Sequence, residues 1–148
     1  MKTEFRLPTL ALPILVVDDM PAVRSIIRGM LEDFGATQIE EAEDGEQAIE
    51  LIRERSAKGK PGFSLVVTDW LMPGIEGVDL VREIRSTPAT RELPVLMITS
   101  QGQRHQWAEA QAAGVTGFVV KPFDELQLSR ELSRILGSAR AQPLNSGS

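Results

Sequence analysis

Residues 14–19 read Ile-Leu-Val-Val-Asp-Asp (ILVVDD): four apolar residues, three of them β-branched, closed off by two acids. A strand that is apolar at every position, not at alternate ones, is expected to be buried on both faces. That burial requires helices on both sides of a parallel sheet. The next residues supply such a helix. Pro21 suits its first turn, and Val23, Ile26, Ile27, Met30, Leu31 and Phe34 recur at the spacing of one helical face. Gly35 stands where a helix usually stops.

The same couplet recurs along the chain. Residues 38–42 predict a second strand on weaker patterning, and Ala48, Ile49 and Ile52 mark a helix from Asp44-Gly45. SAKGKPG (56–62) is a polar, Gly/Pro-containing loop. Residues 63–68 predict the third strand, and Leu80, Val81 and Ile84 a third helix after Gly77. Pro94 opens a fourth strand over 95–99. Residues 103–113, rich in Ala and Gln, predict a fourth helix with a weak apolar face, ended by Gly114. Residues 117–120 predict the fifth strand; Leu128, Leu132, Ile135 and Leu136 line a last helix that stops at Gly137. Five βα units imply an α/β fold, a doubly wound five-stranded parallel sheet of order 2-1-3-4-5 with five helices. The folded domain is expected over 13–137, after an arm at 1–12. The tail, 138–148, has nothing to bury and is expected to be disordered.

The bulk properties narrow the function classes. A chain of 148 residues, 42% hydrophobic, fits one domain with a real core. Lys plus Arg number 16 against 21 Asp plus Glu, a net charge of −5. That balance disfavours non-specific binding to nucleic acid or anionic membranes. With no cysteine, disulfides and thiolate metal sites are excluded. No apolar run approaches the ~18 residues of a membrane span. The apolar stretch near the N-terminus holds Pro8 and Pro13 and runs into Asp18 and Asp19 without a small-residue cleavage site, so it reads as an arm and a strand rather than a signal peptide. A cytoplasmic protein that meets other proteins fits these features.

Ligands of an open parallel sheet bind beyond the carboxyl ends of its strands. Strand one ends in Asp18-Asp19, strand three in Asp69, strand four in Thr99-Ser100 and strand five in Lys121-Pro122. Three acids, a hydroxyl and an amine are therefore expected in one pocket. Crowded carboxylates repel one another, and a divalent cation removes the conflict. Oxygen-only ligands suit Mg²⁺. A carboxylate can also accept a phosphoryl group as a nucleophile, a reaction that asks for positioning and charge neutralisation. Lys121 and the metal would neutralise the phosphoryl oxygens, and the Thr99 hydroxyl would donate a further hydrogen bond. An Asp-Asp pair, a strand threonine or a lone lysine is ordinarily a cap, a sheet residue or a solvated charge; their conjunction at these strand ends points to the site.

ILVVDD (14–19), EEAEDGEQA (40–48), LVVTDWLMPGIEG (65–77), LPVLMITS (93–100) and GFVVKPF (117–123) carry a specific resemblance. Over residues 13–136 the chain resembles bacterial two-component response-regulator receiver domains, most closely the CheY-like single-domain type with its flavodoxin-like fold. The resemblance implies that Asp69 is the phosphoacceptor, served by a sensor histidine kinase or a histidine phosphotransfer protein. It implies Mg²⁺, with Mn²⁺ able to substitute, held by Asp69, directly by Asp19 and mostly through water by Asp18, with the Leu71 backbone carbonyl completing the set. It implies a cis peptide before Pro122. Thr99 and the strand-five aromatic Phe118 would form the switch, changing a face made by helix four, strand five and helix five for a downstream protein. Many relatives carry tyrosine at that position, so Phe118 offers no hydroxyl to a partner. Leu71 and Gln101 occupy the positions that tune phosphoryl lifetime. An apolar Leu71 orients an attacking water poorly, which implies slow to moderate self-hydrolysis. The resemblance is to phosphoacceptor signalling proteins, a monomer or weak dimer, and not to an enzyme that turns over external substrates.

Two other readings compete. Aspartate-nucleophile phosphatases also use a strand-end Asp with Mg²⁺, but carry a second acid two residues on, where this chain has Leu71. A phosphorylation-independent interaction module would not need all five site residues. His105, the only histidine, is expected to be a solvated helix residue away from the acids. Trp70 adjoins Asp69 and is expected to pack nearby and report metal binding; Trp107 is expected on the output surface or partly packed. Arg53, Arg55, Lys58 and Lys60 surround the loop before strand three, a solvated basic loop without the interleaved aromatics of a nucleic-acid site. No DNA-binding domain is visible after residue 136, and direct transcription control is not expected.

Overall fold

The computed structural model describes residues 12–70, 74–100 and 106–137. Five strands, β1 (Ile14–Val17), β2 (Ile39–Ala42), β3 (Leu65–Asp69), β4 (Val95–Thr99) and β5 (Gly117–Val120), form one sheet in the order β2-β1-β3-β4-β5. Every pairing is parallel. The helices between them are α1 (Pro21–Asp33), α2 (Gly45–Ala57), α3 (Gly77–Ser86), α4 (Trp107–Ala113) and α5 (Glu125–Leu132). The expected doubly wound fold is the one observed.

The continuous apolar runs feed two cores. Ile14, Val16, Leu65, Val67, Leu96 and Ile98 point to one face, against Ile27 and Leu31 of α1, Phe34 just after it, and Leu128 and Leu132 of α5. Leu15, Val17, Val66, Val95 and Met97 point to the other, against α2, α3 and Ala110 of α4. Alternation along each strand thus serves both layers, which is why no strand reads as half polar except the edge strand β2, IEEA. Burial of each large side chain stabilises the fold by about 1.5–3 kcal/mol.

Several local expectations shift. Ile26, assigned to the apolar face of α1, is 57% exposed, because the helix lies on the sheet along a narrower stripe through Ile27, Leu31 and Phe34. The third strand begins at Leu65, not at residue 63, and includes Asp69, whose register partner is Ile98. Phe63 precedes the strand, buried beneath the Arg55 guanidinium at 4.8 Å. Arg55 also pairs with Glu40, so it is a structural cation and not a free member of the basic loop. The described part of the fourth helix starts at Trp107; 103–105, including His105, lie outside the described residues. The last helix passes into a π-helical turn, Ser133–Gly137. The arm up to residue 11 and the tail 138–148 lie outside the described residues. Among the described residues no helix is long and apolar enough to cross a membrane.

Candidate functional site

Register alone aligns the strand ends. Val17 lies beside Thr68, so Asp18 emerges next to Asp69; Asp69 lies beside Ile98 and Thr99 beside Val120, one residue before Lys121. The Lys121 amide donates to the Thr99 carbonyl at 2.7 Å and extends this alignment. Carboxylate oxygens of Asp18, Asp19 and Asp69 all lie within 4.8 Å of one another. Lys121 Nζ stands 3.5 Å from Asp69 Oδ1. All five residues named from the strand ends therefore belong to the same rim. The Lys121–Pro122 peptide, expected to be cis, is cis.

Each acid is fixed differently. Asp18 is 0% exposed. Its Oδ1 accepts the Met20 amide at 2.8 Å, and its carbonyl accepts Arg24 Nη1 at 2.6 Å. Asp69 is half-buried, and its Oδ1 accepts the Trp70 amide at 2.8 Å. Asp19 is exposed at the mouth. Burial pushes the Asp18 carboxyl above the ordinary carboxylate range; the Met20 amide, Lys121 and Arg24 oppose this, while Asp19 reinforces it. Burial also raises Asp69, helped by the neighbouring charge of Asp18 and opposed by Lys121 and the Trp70 amide.

Two buried polar atoms at this rim, Asp18 Oδ2 and Thr99 Oγ1, have no hydrogen-bond partner among the described residues. Such orphans are costly, on the order of 1–3 kcal/mol. One is an acceptor inside a cluster of acids, the partner a divalent cation would supply; the other is a hydroxyl able to donate to an incoming oxyanion. An all-oxygen donor set that includes an unsatisfied buried carboxylate fits a hard cation of the Mg²⁺ type. The Leu71 carbonyl and Gln101 lie outside the described residues.

The remaining expectations divide. Trp70, 2% exposed, packs in the core directly behind Asp69. Phe118 is partly buried and stacks on Trp107, with ring centroids 5.0 Å apart and planes 12° apart. Trp107 is thus tied to the strand-five aromatic itself, a pairing the linear sequence did not reveal. Gly77 was also unrecognised as a site residue. Its amide donates to the Trp70 carbonyl at 2.9 Å, and a Cβ there would collide with the Asp69 carbonyl oxygen and Met97 Cε. Its place at the end of MPGIEG was the available signal. Arg24 was missed as well, since nothing in its spacing distinguishes it from a solvated helix residue.

The class of protein follows from these observations and from its relatives. Residues 14–133 match the response regulator receiver domain, and the chain belongs to that family. It is a phosphoacceptor signalling domain and not a classical enzyme. It is 43% identical over 122 residues to the chemotaxis protein CheY-3 of Vibrio cholerae, covering 82% of this chain and 89% of that one. It is 42% identical over 122 residues to the chemotaxis protein CheY of Pseudomonas aeruginosa, covering 82% and 94%. Among solved structures, CheY4 of Vibrio cholerae superposes with a TM-score of 0.74 at 29% identity, over 84% of this chain and 98% of that chain.

Proposed function

We propose that Asp69 accepts a phosphoryl group from the phosphohistidine of a sensor kinase or phosphotransfer protein, in a Mg²⁺-dependent reaction, and that the modified domain controls a protein partner in chemotaxis signalling. The observation that carries this reading is the meeting of three carboxylates within 4.8 Å with an ammonium 3.5 Å from one of them. A carboxylate oxygen of Asp69 attacks phosphorus, the P–N bond to the donor imidazole breaks, and an acyl phosphate forms. Asp18, Asp19 and Asp69, with the Leu71 carbonyl, would hold the metal, which when bound neutralises charge on the transferring group. Lys121 pairs with a phosphoryl oxygen, and Thr99 donates its unsatisfied hydroxyl to another. Phe118 follows Thr99, and the α4-β5-α5 face changes through a shift of an existing equilibrium. Leu71 and Gln101 set how long the group persists. The folded unit spans 13–137. The pathway rests on the names of the similar chemotaxis proteins.

Incubation with acetyl phosphate, read by intact mass, tests the chemistry. One phosphoryl group should add in the presence of Mg²⁺, none with chelator, and none to Asp69→Asn. Undiminished labelling of Asp69→Asn would overturn the assignment. Capture of partners by the beryllofluoride-bound form, compared with the free form, tests the output face.

A further inference from the structure

The loop carrying Asp18 and Asp19 is held from outside the acidic pocket. The Asp18 amide donates to the Ala42 carbonyl at 3.1 Å, and its own side chain turns back to the Met20 amide. Its carbonyl accepts Arg24 Nη1 at 2.6 Å. Arg24 lies in the first turns of α1 with its side chain only 12% exposed, and its Nε donates to Glu41 Oε1 at 2.9 Å. The other oxygen of Glu41, on edge strand β2, accepts Arg28 Nη1 at 2.8 Å. A charged chain, Arg28–Glu41–Arg24, therefore runs from β2 across α1 and ends on the peptide that joins the two acids.

We propose that Arg24, oriented by Glu41, is a positioning residue for the divalent-cation site. It fixes the Asp18–Asp19 peptide and hence the directions in which both carboxylates leave the main chain. The physical reason is that a cation site needs its ligands placed before the ion arrives, and groups beyond the ligands supply that placement. A guanidinium suits the task because its fork engages a carboxylate and a carbonyl at once, which an ammonium cannot do with the same rigidity. Arg24 also brings positive charge near Asp18 without entering the pocket, which lowers the repulsion among the acids while the site is empty. The two bonds to Glu41 share one carboxylate, but only Arg24 touches the acid-bearing loop. That asymmetry separates positioning from general stabilisation of α1.

The inference rests on the reading that the three acids hold Mg²⁺. Mg²⁺ titration of the full chain, followed by tryptophan fluorescence and by calorimetry, tests it. In Arg24→Ala the Mg²⁺ Kd should rise about tenfold or more, the usual effect of losing a group that orients metal ligands. Glu41→Gln should raise it less, because the amide oxygen still accepts from Arg24. Arg28→Ala, which removes a bond to Glu41 of similar length but none to the loop, should leave the Kd within about twofold of wild type. Its thermal midpoint should fall comparably to that of Glu41→Gln, which controls for stability. Binding by Arg24→Ala and Glu41→Gln as tight as wild type would overturn the inference and leave the metal reading intact. Absence of any Mg²⁺ response in the wild type would instead overturn both. Equal loss in Arg28→Ala and Arg24→Ala would assign the effect to α1 stability and also overturn the proposal.

Discussion

At the scale of single residues, the site holds uncompensated electrostatic cost. Burial raises both Asp18 and Asp69, so the metal-free folded state holds protons on them more tightly than the unfolded chain does. Their contribution to stability is therefore full below about pH 4, the ordinary carboxylate value, and is lost as pH rises through the raised folded values. Asp69→Asn, which removes one charge and keeps an acceptor for the Trp70 amide, should melt higher than wild type at pH 7 without Mg²⁺. The difference should shrink toward pH 4; a chain of this size shifts by roughly 2–4 °C per kcal/mol. Saturating Mg²⁺ should raise the wild-type midpoint more than that of the variant, because a ligand of the folded state stabilises by mass action. Thermal melts at the two pH values, with and without metal, check both statements. The Thr99 hydroxyl presents the same logic in a neutral group. Thr99→Val removes a buried donor without a partner among the described residues, so it should be neutral or stabilising by about 1 kcal/mol in urea melts of the free form. The same variant should still take up phosphoryl on Asp69 but respond weakly at the α4-β5-α5 face.

At the scale of elements, the helices and turns around the site are set by a few local devices. The Asp124 side chain accepts the Gln127 amide at 2.8 Å, and the Gln127 side chain accepts the Asp124 amide at 2.9 Å, a reciprocal cap for α5. Asp124→Ala should cost about 1 kcal/mol of stability while leaving the Mg²⁺ Kd unchanged, since both bonds of the cap stay within its own turn and neither reaches an acid of the site. Gly77 is different because it couples an element to the site. The loop after β3 returns so closely that a methyl group would strike the carbonyl of Asp69 and the end of Met97. Gly77→Ala should destabilise by about 1–3 kcal/mol, the usual range for overpacking, and weaken Mg²⁺ binding as well. A loss of stability without any change in metal affinity would show that Asp69 is held independently of α3. This glycine sits inside a motif, so its presence was legible in the sequence, but the close approach that requires it was not.

At the scale of the molecule, an arginine strut closes the end of the sheet remote from the acids. Arg85, on α3, donates to the carbonyls of Gly114, Arg91 and Leu93 and to the Thr116 hydroxyl. It thereby joins the end of α3 to the C-terminal end of α4 and to the entry of β4. Gly114 has φ of 109°, and a Cβ there would crowd the Arg85 side chain, so glycine serves both the backbone and the strut. The C-terminal end of α4 is tied by this strut, and its first residue, Trp107, stacks on Phe118 of β5. Beryllofluoride with Mg²⁺ should therefore change Trp107 emission in a Trp70→Phe background, and Thr99→Val should abolish that change. An unaltered spectrum on activation would separate the stack from the switch.

What could be read without coordinates and what could not follow from how each feature is encoded. Continuous apolar runs and glycine-terminated helical stripes are local signals, so the order of elements and, with parallel crossovers, the convergence of Asp18, Asp19, Asp69, Thr99 and Lys121 were legible in the chain. Edge strand β2 was faint because its IEEA carries two glutamates that find arginine partners only after folding. Ile26 was misplaced because the width of a buried stripe depends on how a helix lies on its sheet, which periodicity does not specify. The roles of Arg24, Arg85 and the Trp107–Phe118 stack belong to tertiary structure alone. Long side chains reach across elements distant in sequence, and their direction is set by packing that no local pattern records.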